Sequence, residues 1–390
     1  MKPNGYWELR IFHEVPSFWK AGNGLGAADV DGDGQVEVVT GGTGGLFWYR
    51  PQTDESGVIW EGGVFLPELR LEDMDGDGVL EVLTGCLDEG RSLLLWLKPD
   101  GDLSRRWRRY VIDPNGGGHD VLRVDIDGDG IAEVVAHNGR RGTALYKPGT
   151  DITAPWQRFD INTAVFREGL AAADFDGDGR MEILHGPDLF FPPKGGPYAG
   201  PWRRQTFAPN FREMNRVALV DITGNGRPDV VIAESEYMEG RLSWFENRMA
   251  EDPGHPWVER PMETPLIYAH SLDAWRDGNT VRVFVAEMEK GGWNAPYNFH
   301  ARLIHYATAD AGKSWTRDVM AQGAGTHQAI PYDLDRDGEL EIVGKECCQL
   351  DLLGQPKVQI WKRRAERPPL ARFRHSFVDR DKPETATDIL

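Results

Sequence analysis

The residues of this chain best placed to do chemistry are carboxylates at alternate positions. In Asp125-Ile-Asp127-Gly-Asp129-Gly-Ile-Ala-Glu133, three aspartates sit two apart and a glutamate follows at position nine. Side-chain oxygens at that spacing can converge on one hard cation, with calcium the natural choice, while the two glycines allow the sharp bend. An EF-hand would place its bidentate acid at position twelve between helices; here the last acid opens Glu133-Val-Val, a β-branched run that reads as a strand. The expected element is a calcium-binding hairpin turn. It recurs as Asp29-Asp31-Asp33-Glu37, Asp73-Asp75-Asp77-Glu81 and Asp174-Asp176-Asp178-Glu182. Two copies drift: Asp221-Thr223-Asn225-Asp229 carries neutral oxygens, and Asp333-Asp335-Asp337-Glu341 has Arg336 in place of a glycine. A shortened copy at Asp277-Gly278-Asn279 lacks the carboxylates to hold calcium.

A second set of residues is in phase with the first. Six positions before each turn stand Asn23, Pro67, His119, Glu168, Asn215, His270 and His327. If each preceding stretch is an inner strand, this column lies at the end opposite the turns. Residues finishing the second strands, His137, His185, Glu287 and Lys345, come to the same end, with Arg167, Arg212 and Arg216 flanking it. Three histidines, a glutamate and two amides on one axis predict a polar mouth able to move protons. The segments Gly186–Tyr198 and Glu289–His300, the latter with Trp293 and Tyr297, come after second strands and are expected to rise from that mouth, their rings free to stack on sugars.

The elements that must position these residues are strands. With 46 glycines, 25 prolines and 14 tryptophans in 390 residues, the chain is too turn-rich for a helical core. Each acidic hairpin is succeeded by a strand such as Leu93-Leu-Leu-Trp96-Leu-Lys-Pro99 and then by a tryptophan-led strand such as Trp107-Arg-Arg-Tyr-Val-Ile. Four strands repeating about every 51 residues is the size of a propeller blade. The expectation is an all-β, seven-bladed β-propeller, one domain over 1–390 with a C-terminal extension from about 367. The strand at Trp7 is expected to close the ring as the outermost strand of the last blade, with Arg372–Phe377 a competitor for that edge.

Charge and cysteines limit the function classes. The net charge of −18 disfavours nucleic acid, yet 22 of the 62 carboxylates belong to the six turns, and six calcium ions would bring the net to −6. Cys86, Cys347 and Cys348 form neither a disulfide framework nor a zinc motif. The N-terminal residues show no apolar signal-peptide core, and no run reaches membrane-spanning length. The sequence as written is expected to be cytoplasmic, or secreted if a leader has been trimmed, and monomeric.

The Asp-x-Asp-Gly-Asp-Gly turns leading into acid-Val/Ile-Val resemble FG-GAP/VCBS repeats, the blades of integrin α-subunit heads and of several carbohydrate-active propellers. The histidine mouth is similar to that of propeller lyases acting on uronate sugars, such as L-rhamnose-α-1,4-D-glucuronate lyase, and more distantly to aldos-2-ulose dehydratase. That resemblance implies a polysaccharide or oligosaccharide lyase that cleaves a glucuronate-containing glycan by β-elimination. The catalytic set would be His119, His270, His327 and Glu168, with Arg167 and Lys345 neutralising charge. Asn23, Asn215, His137, His185, Arg216, Glu287, Trp293 and Tyr297 would bind substrate. Calcium would fill up to six turns, and the mouth is a candidate for an additional divalent metal. The alternatives are a non-catalytic glycan- or protein-binding module and, more weakly, a glycoside hydrolase using Glu168 and Glu287.

Overall fold

The computed structural model describes residues 6–14, 24–138, 141–163, 166–291, 295–323, 325–345 and 357–364. Every regular element among them is a strand, and no helix is long and apolar enough to cross a membrane. The strands form a propeller of antiparallel sheets. The unit around Asp125 is typical: Asp120–Val124, Glu133–Asn138, Gly142–Lys147 and Gln157–Asn162 pair in chain order from the inner edge outward.

The expectation of seven separate blades is corrected to six. Five sheets have four strands and one has six. In the enlarged sheet the 18-residue strand Glu55–Glu72 pairs first with Glu37–Arg50 and then, from Val64 onward and across an irregularity between Phe65 and Leu69, with Glu81–Asp88. Gly62 and Gly63, both at positive φ, let the chain bend without leaving the ladder. This blade therefore carries two acidic turns, at Asp29 and Asp73, and the repeats outnumber the sheets by one.

The ring closes as the sequence suggests. Tyr6–Glu14 pairs antiparallel with Lys357–Arg364 at the outer edge of the sheet that also contains Gln328–Tyr332 and Glu341–Lys345. Residues 367–390, including the competing Arg372–Phe377 run, and Cys347 and Cys348 lie outside the described residues.

Second strands are buried along both faces because each is covered by neighbouring sheets. Val82 and Leu83, Val134 and Val135, and Val230 and Val231 are all inaccessible, which explains the unbroken β-branched runs in place of polar alternation. The core is distributed between successive units: Leu83 and Trp96 of one pack with Val121, Val134 and Tyr146 of the next. Leu25 and Val38 meet Val343 and Ile360 across the closure. Three of the tryptophans at the start of fourth strands turn their indole N–H groups onto backbone carbonyls, Trp107 to Leu103 at 3.3 Å, Trp156 to Ile152 at 2.9 Å and Trp202 to Pro197 at 3.1 Å. Each thus fastens the turn that precedes it.

Candidate functional site

The predicted column converges at one end of the inner strands. Asn215 opens Asn215–Val220, and His270 lies in Ala269–Asp277. His119 and His327 stand just before the strands Asp120–Val124 and Gln328–Tyr332, and Glu168 is two residues before Leu170–Ala173. Their side chains form a continuous network. His119 Nε2 is 3.6 Å from Glu168 Oε1, and Glu168 Oε2 is 3.5 Å from Arg216 Nη1. Arg216 Nη2 donates to His270 Nε2 at 2.6 Å, and the His270 ring lies against His327 with centroids 3.8 Å apart. Several repeat units contribute, although His119 and His327 are far apart in sequence.

The hydrogen bonds fix which nitrogen of His270 carries the proton. Its Nδ1–H donates to the His327 carbonyl at 2.7 Å, leaving Nε2 to accept from Arg216. Burial, reinforced by the Arg216 charge, holds His270 well below the ordinary histidine range. His327 is likewise pushed down by burial and by His270, and its Nδ1 has no hydrogen-bond partner. His119 goes the other way. Burial pulls it down, but Asp120 at 3.5 Å and Glu168 outweigh this and raise it to about 9. Its side chain remains 29% exposed, against a nearly buried Arg216, Glu168 and His270. One cluster therefore holds a cationic, accessible imidazole and two neutral ones, a separation suited to acid and base roles.

Asp120 is the member of this network that the spacing argument missed. It accepts from Gly169 N at 3.2 Å and lies 3.5 Å from His119, 3.7 Å from His185 and 3.8 Å from Arg216. Burial alone would raise its pKa, but these histidines and Arg216 hold it well below the usual carboxylate range. Glu236, 3.6 Å from His270 Nε2, was also missed. Asp120 adjoins His119 in sequence and could have been found by extending the column one residue inward. Glu236 sits at positive φ beyond a strand end, with no repeat signal to mark it.

Other expected site residues take supporting positions. His137 and His185 are fully buried with ring centroids 4.7 Å apart, and Thr143 Oγ1 meets His185 Nδ1 at 2.9 Å. His185 Nε2 stands 3.7 Å from the Asp120 carboxylate, with His137 packed against His185. Burial pushes His137 down to about 3. Asn215 is buried and donates to the Arg212 carbonyl. Glu287 is buried and accepts from the Arg302 guanidinium, whereas Glu168 faces His119 and Arg216. Arg167 turns to Asp188 at 2.9 Å, and Lys345 donates to the Gly41 carbonyl across the ring closure. Arg216 holds the central cationic position expected of those two. Tyr297 stacks with Phe299 on the mouth loop at a centroid distance of 5.6 Å. Asn23 and Trp293 lie outside the described residues.

The acidic turns occupy the opposite end. In the Asp125 copy, the Asp125 carboxylate accepts from the N–H groups of Gly128, Asp129 and Gly130, and Glu133 Oε2 accepts from Ile126 N. The first and last acids thus cap backbone donors whether or not a cation is held. Ligand atoms lie within 4.8 Å of one another at Asp29-Asp31-Asp33, Asp73-Asp75-Glu81, Asp125-Asp127-Glu133, Asp174-Asp176-Glu182 and Asp333-Asp335-Glu341. The Asp221 turn differs: both Asp229 oxygens are taken by the N–H groups of Ile222, Thr223 and Asn247. At the mouth, Arg216 and His119 already counter the acids, and that donor set does not fit an additional divalent metal. The segment Gly186–Tyr198 is also relocated. Asp188–Phe191 is a third strand, so the chain beyond Phe191 emerges at the acidic end, where the Tyr198 hydroxyl donates to Asp127 at 2.9 Å.

Comparison with known proteins bears on the repeats and the fold. Residues 73–136 and 125–185 match the FG-GAP-like repeat model. No curated protein sequence matches the chain significantly. Among solved structures, BBS1N in complex with ARL6DN superposes with a TM-score of 0.54 at 9% identity, covering 91% of this chain and 96% of that one. YCF48 from Cyanidioschyzon merolae gives 0.52 at 13% identity, covering 91% and 98%. The Dos1 propeller gives 0.50 at 11% identity, covering 92% and 94%. The likeness is one of propeller fold.

Proposed function

We propose that this propeller acts on an acidic glycan at the His119–His327 end of its axis, as a lyase working by β-elimination. The observation that carries the reading is the network that holds His119 cationic and His327 neutral on either side of Arg216. In that reaction a neutral base removes the proton on the carbon α to a uronate carboxylate. The electron pair of that C–H bond becomes a double bond to the β carbon, the bond from the β carbon to the glycosidic oxygen breaks, and the departing oxygen takes up a proton. His327, with an unpartnered Nδ1, suits the base. His119, protonated at neutral pH and partly exposed, suits the acid. Arg216 is the charge that would face the carboxylate, and His270 positions Arg216.

A second reading, a glycan-binding module without turnover, is favoured by a different observation. Arg216 and His270 spend their hydrogen bonds inside the protein, while Phe299 is 69% exposed beside Tyr297 on the mouth loop, a surface suited to stacking on a sugar face.

Glucuronate-containing oligosaccharides, rhamnose-capped ones first, separate the two. Elimination generates a conjugated unsaturated uronate with its own ultraviolet absorbance; hydrolysis releases sugars without it, and a binder releases nothing. His327→Gln and His119→Gln are each expected to lower turnover by roughly 10²-fold or more. Elimination at full rate in both variants would remove these residues from the mechanism. Saturable binding with no product would establish the second reading.

A further inference from the structure

The five acidic clusters have the same backbone and nearly the same acids, but they differ in what stands opposite the closing glutamate. In four of them a basic side chain from the third-strand position enters the space where the carboxylates converge. Arg50 reaches Asp31 and Asp33 at 2.9 Å each and Glu37 Oε1 at 2.5 Å. Lys98 Nζ lies 2.6 Å from Asp75, 2.6 Å from Asp77 and 3.0 Å from Glu81 Oε1. Lys147 Nζ is within 3.2 Å of Asp127, Asp129 and Glu133 Oε1. Lys362 Nζ is within 2.7 Å of Asp335, Asp337 and Glu341 Oε1. In each case the cation meets the glutamate through Oε1, while Oε2 accepts the backbone N–H of turn position two.

The Asp174 turn breaks this pattern. Its Glu182 Oε2 accepts from Phe175 N at 2.8 Å as in the others. The ladder, however, pairs Ile183 with Phe190, so the residue facing Glu182 is Phe191, which has no charge to offer. Glu182 is fully buried and its Oε1 has no hydrogen-bond partner. That is the oxygen which in the other four turns holds the ammonium or guanidinium. Arg180 makes its ion pair with Asp178 at the turn's outer side, half exposed, and donates to the Pro192 carbonyl, which leaves Asp174, Asp176 and Glu182 facing one another.

We infer that the chain divides these five acidic clusters into two kinds: four closed by a tethered side-chain cation, and one, Asp174–Glu182, that takes a free divalent cation, calcium being the match for an all-oxygen set. An ammonium nitrogen at 2.6–3.2 Å from three carboxylates stands where calcium would need those same oxygens at about 2.3–2.6 Å, so the two exclude each other. At Asp174–Glu182 Arg180 takes Asp178, but among the described residues no side-chain cation forms an ion pair with Asp174, Asp176 or Glu182, and a buried carboxylate oxygen without a donor is a group that a native structure completes with an ion or water.

The full chain, stripped with chelator and titrated with calcium alone in a calorimeter, is expected to bind one ion. Asp176→Asn is expected to abolish that binding. Lys98→Gln, which removes the tethered cation from an otherwise complete turn, is expected to raise the stoichiometry to two. Because a variant lacking an acid could misfold, the wild-type stoichiometry and the gain in Lys98→Gln stand as independent readings. A wild-type stoichiometry other than one overturns the division, as does calcium binding that survives Asp176→Asn in a protein with wild-type far-ultraviolet circular dichroism.

Discussion

The two ends of the propeller handle buried charge in opposite ways. At the acidic end the same arrangement is repeated: a carboxylate trio, backbone donors and, in four turns, one basic side chain from the adjoining strand. The basic side chain of each of those four turns comes from its own repeat unit, with Tyr198 and Arg336 adding contacts to the Asp125 and Asp29 turns from neighbouring units. At the histidine end no arrangement repeats. Asp120, His119, Glu168, Arg216, His270 and His327 come from five units and satisfy one another across the axis. Local completion makes independent hairpins, whereas completion across units makes one network whose members cannot be removed singly. Repetition is what a scaffold needs, and a site assembled once at the symmetry axis is where chemistry can be placed.

The sharpest way to break that contrast is to remove its central cation. Arg216→Met would leave Asp120 and Glu168 buried without their shared counter-charge, and losing one partner of a buried pair costs about 3–5 kcal/mol. Urea denaturation should show a loss of that order. A loss under about 1 kcal/mol would mean that the mouth is well hydrated and its members independent.

The next effect is a pH dependence with two limbs. His119 is raised from 6.5 to about 9 in the folded chain, so its contribution is complete below pH 6.5 and is lost as pH rises through 9. His270 and His327 are depressed from 6.5; their contribution is present above that value and is lost as pH falls toward their folded values, because the unfolded chain gains protons that the folded one refuses. Stability should therefore peak near neutrality. His119→Gln is expected to flatten the alkaline limb, on the order of 1–3 kcal/mol, and to leave the acid limb in place. An alkaline limb unchanged in that variant would mean another group is responsible.

At the acidic end the same kind of change should matter less. Lys147→Met removes a cation from three carboxylates, but Asp127 and Asp129 are partly exposed and the Tyr198 hydroxyl still donates to the buried Glu133, so solvent and that hydroxyl take over much of the charge. A loss of about 1 kcal/mol or less is expected in thermal unfolding. A loss as large as that of Arg216→Met would erase the distinction between the two ends.

These differences also explain what could be read from sequence. The acidic turns, the four-strand unit and the closing strand near Trp7 were legible because each is written in local residues at a fixed period. The column leading to His119, Glu168, His270 and His327 was legible for the same reason, since strand length fixes the opposite end of every hairpin. Partner choice was not legible. Arg167 and Arg216 look equivalent from their flanking positions, yet one turns outward to Asp188 and the other inward to Glu168, because the pairing depends on which neighbouring unit supplies the acid. The merging of the first two repeats was hidden as well: a continuous strand through Gly62 and Gly63 produces the same periodic signal as two separate ones.

The smallest effect on stability tests whether the histidine end faces a ligand. Phe299 is exposed and stacked on Tyr297, so Phe299→Ser removes almost no buried area and should change stability by less than about 0.5 kcal/mol. If the loop is the rim of a sugar site, the same substitution should weaken oligosaccharide affinity by roughly 5–10-fold, the scale of one lost aromatic stacking contact. Tyr198→Phe supplies the opposite case: its hydroxyl meets Asp127, Glu133 and Lys147 at the acidic end, so its loss should cost about 1 kcal/mol and leave sugar affinity untouched. Affinity that falls in Tyr198→Phe and holds in Phe299→Ser would put the ligand at the acidic end, and the histidine network would then be a device for closing the ring.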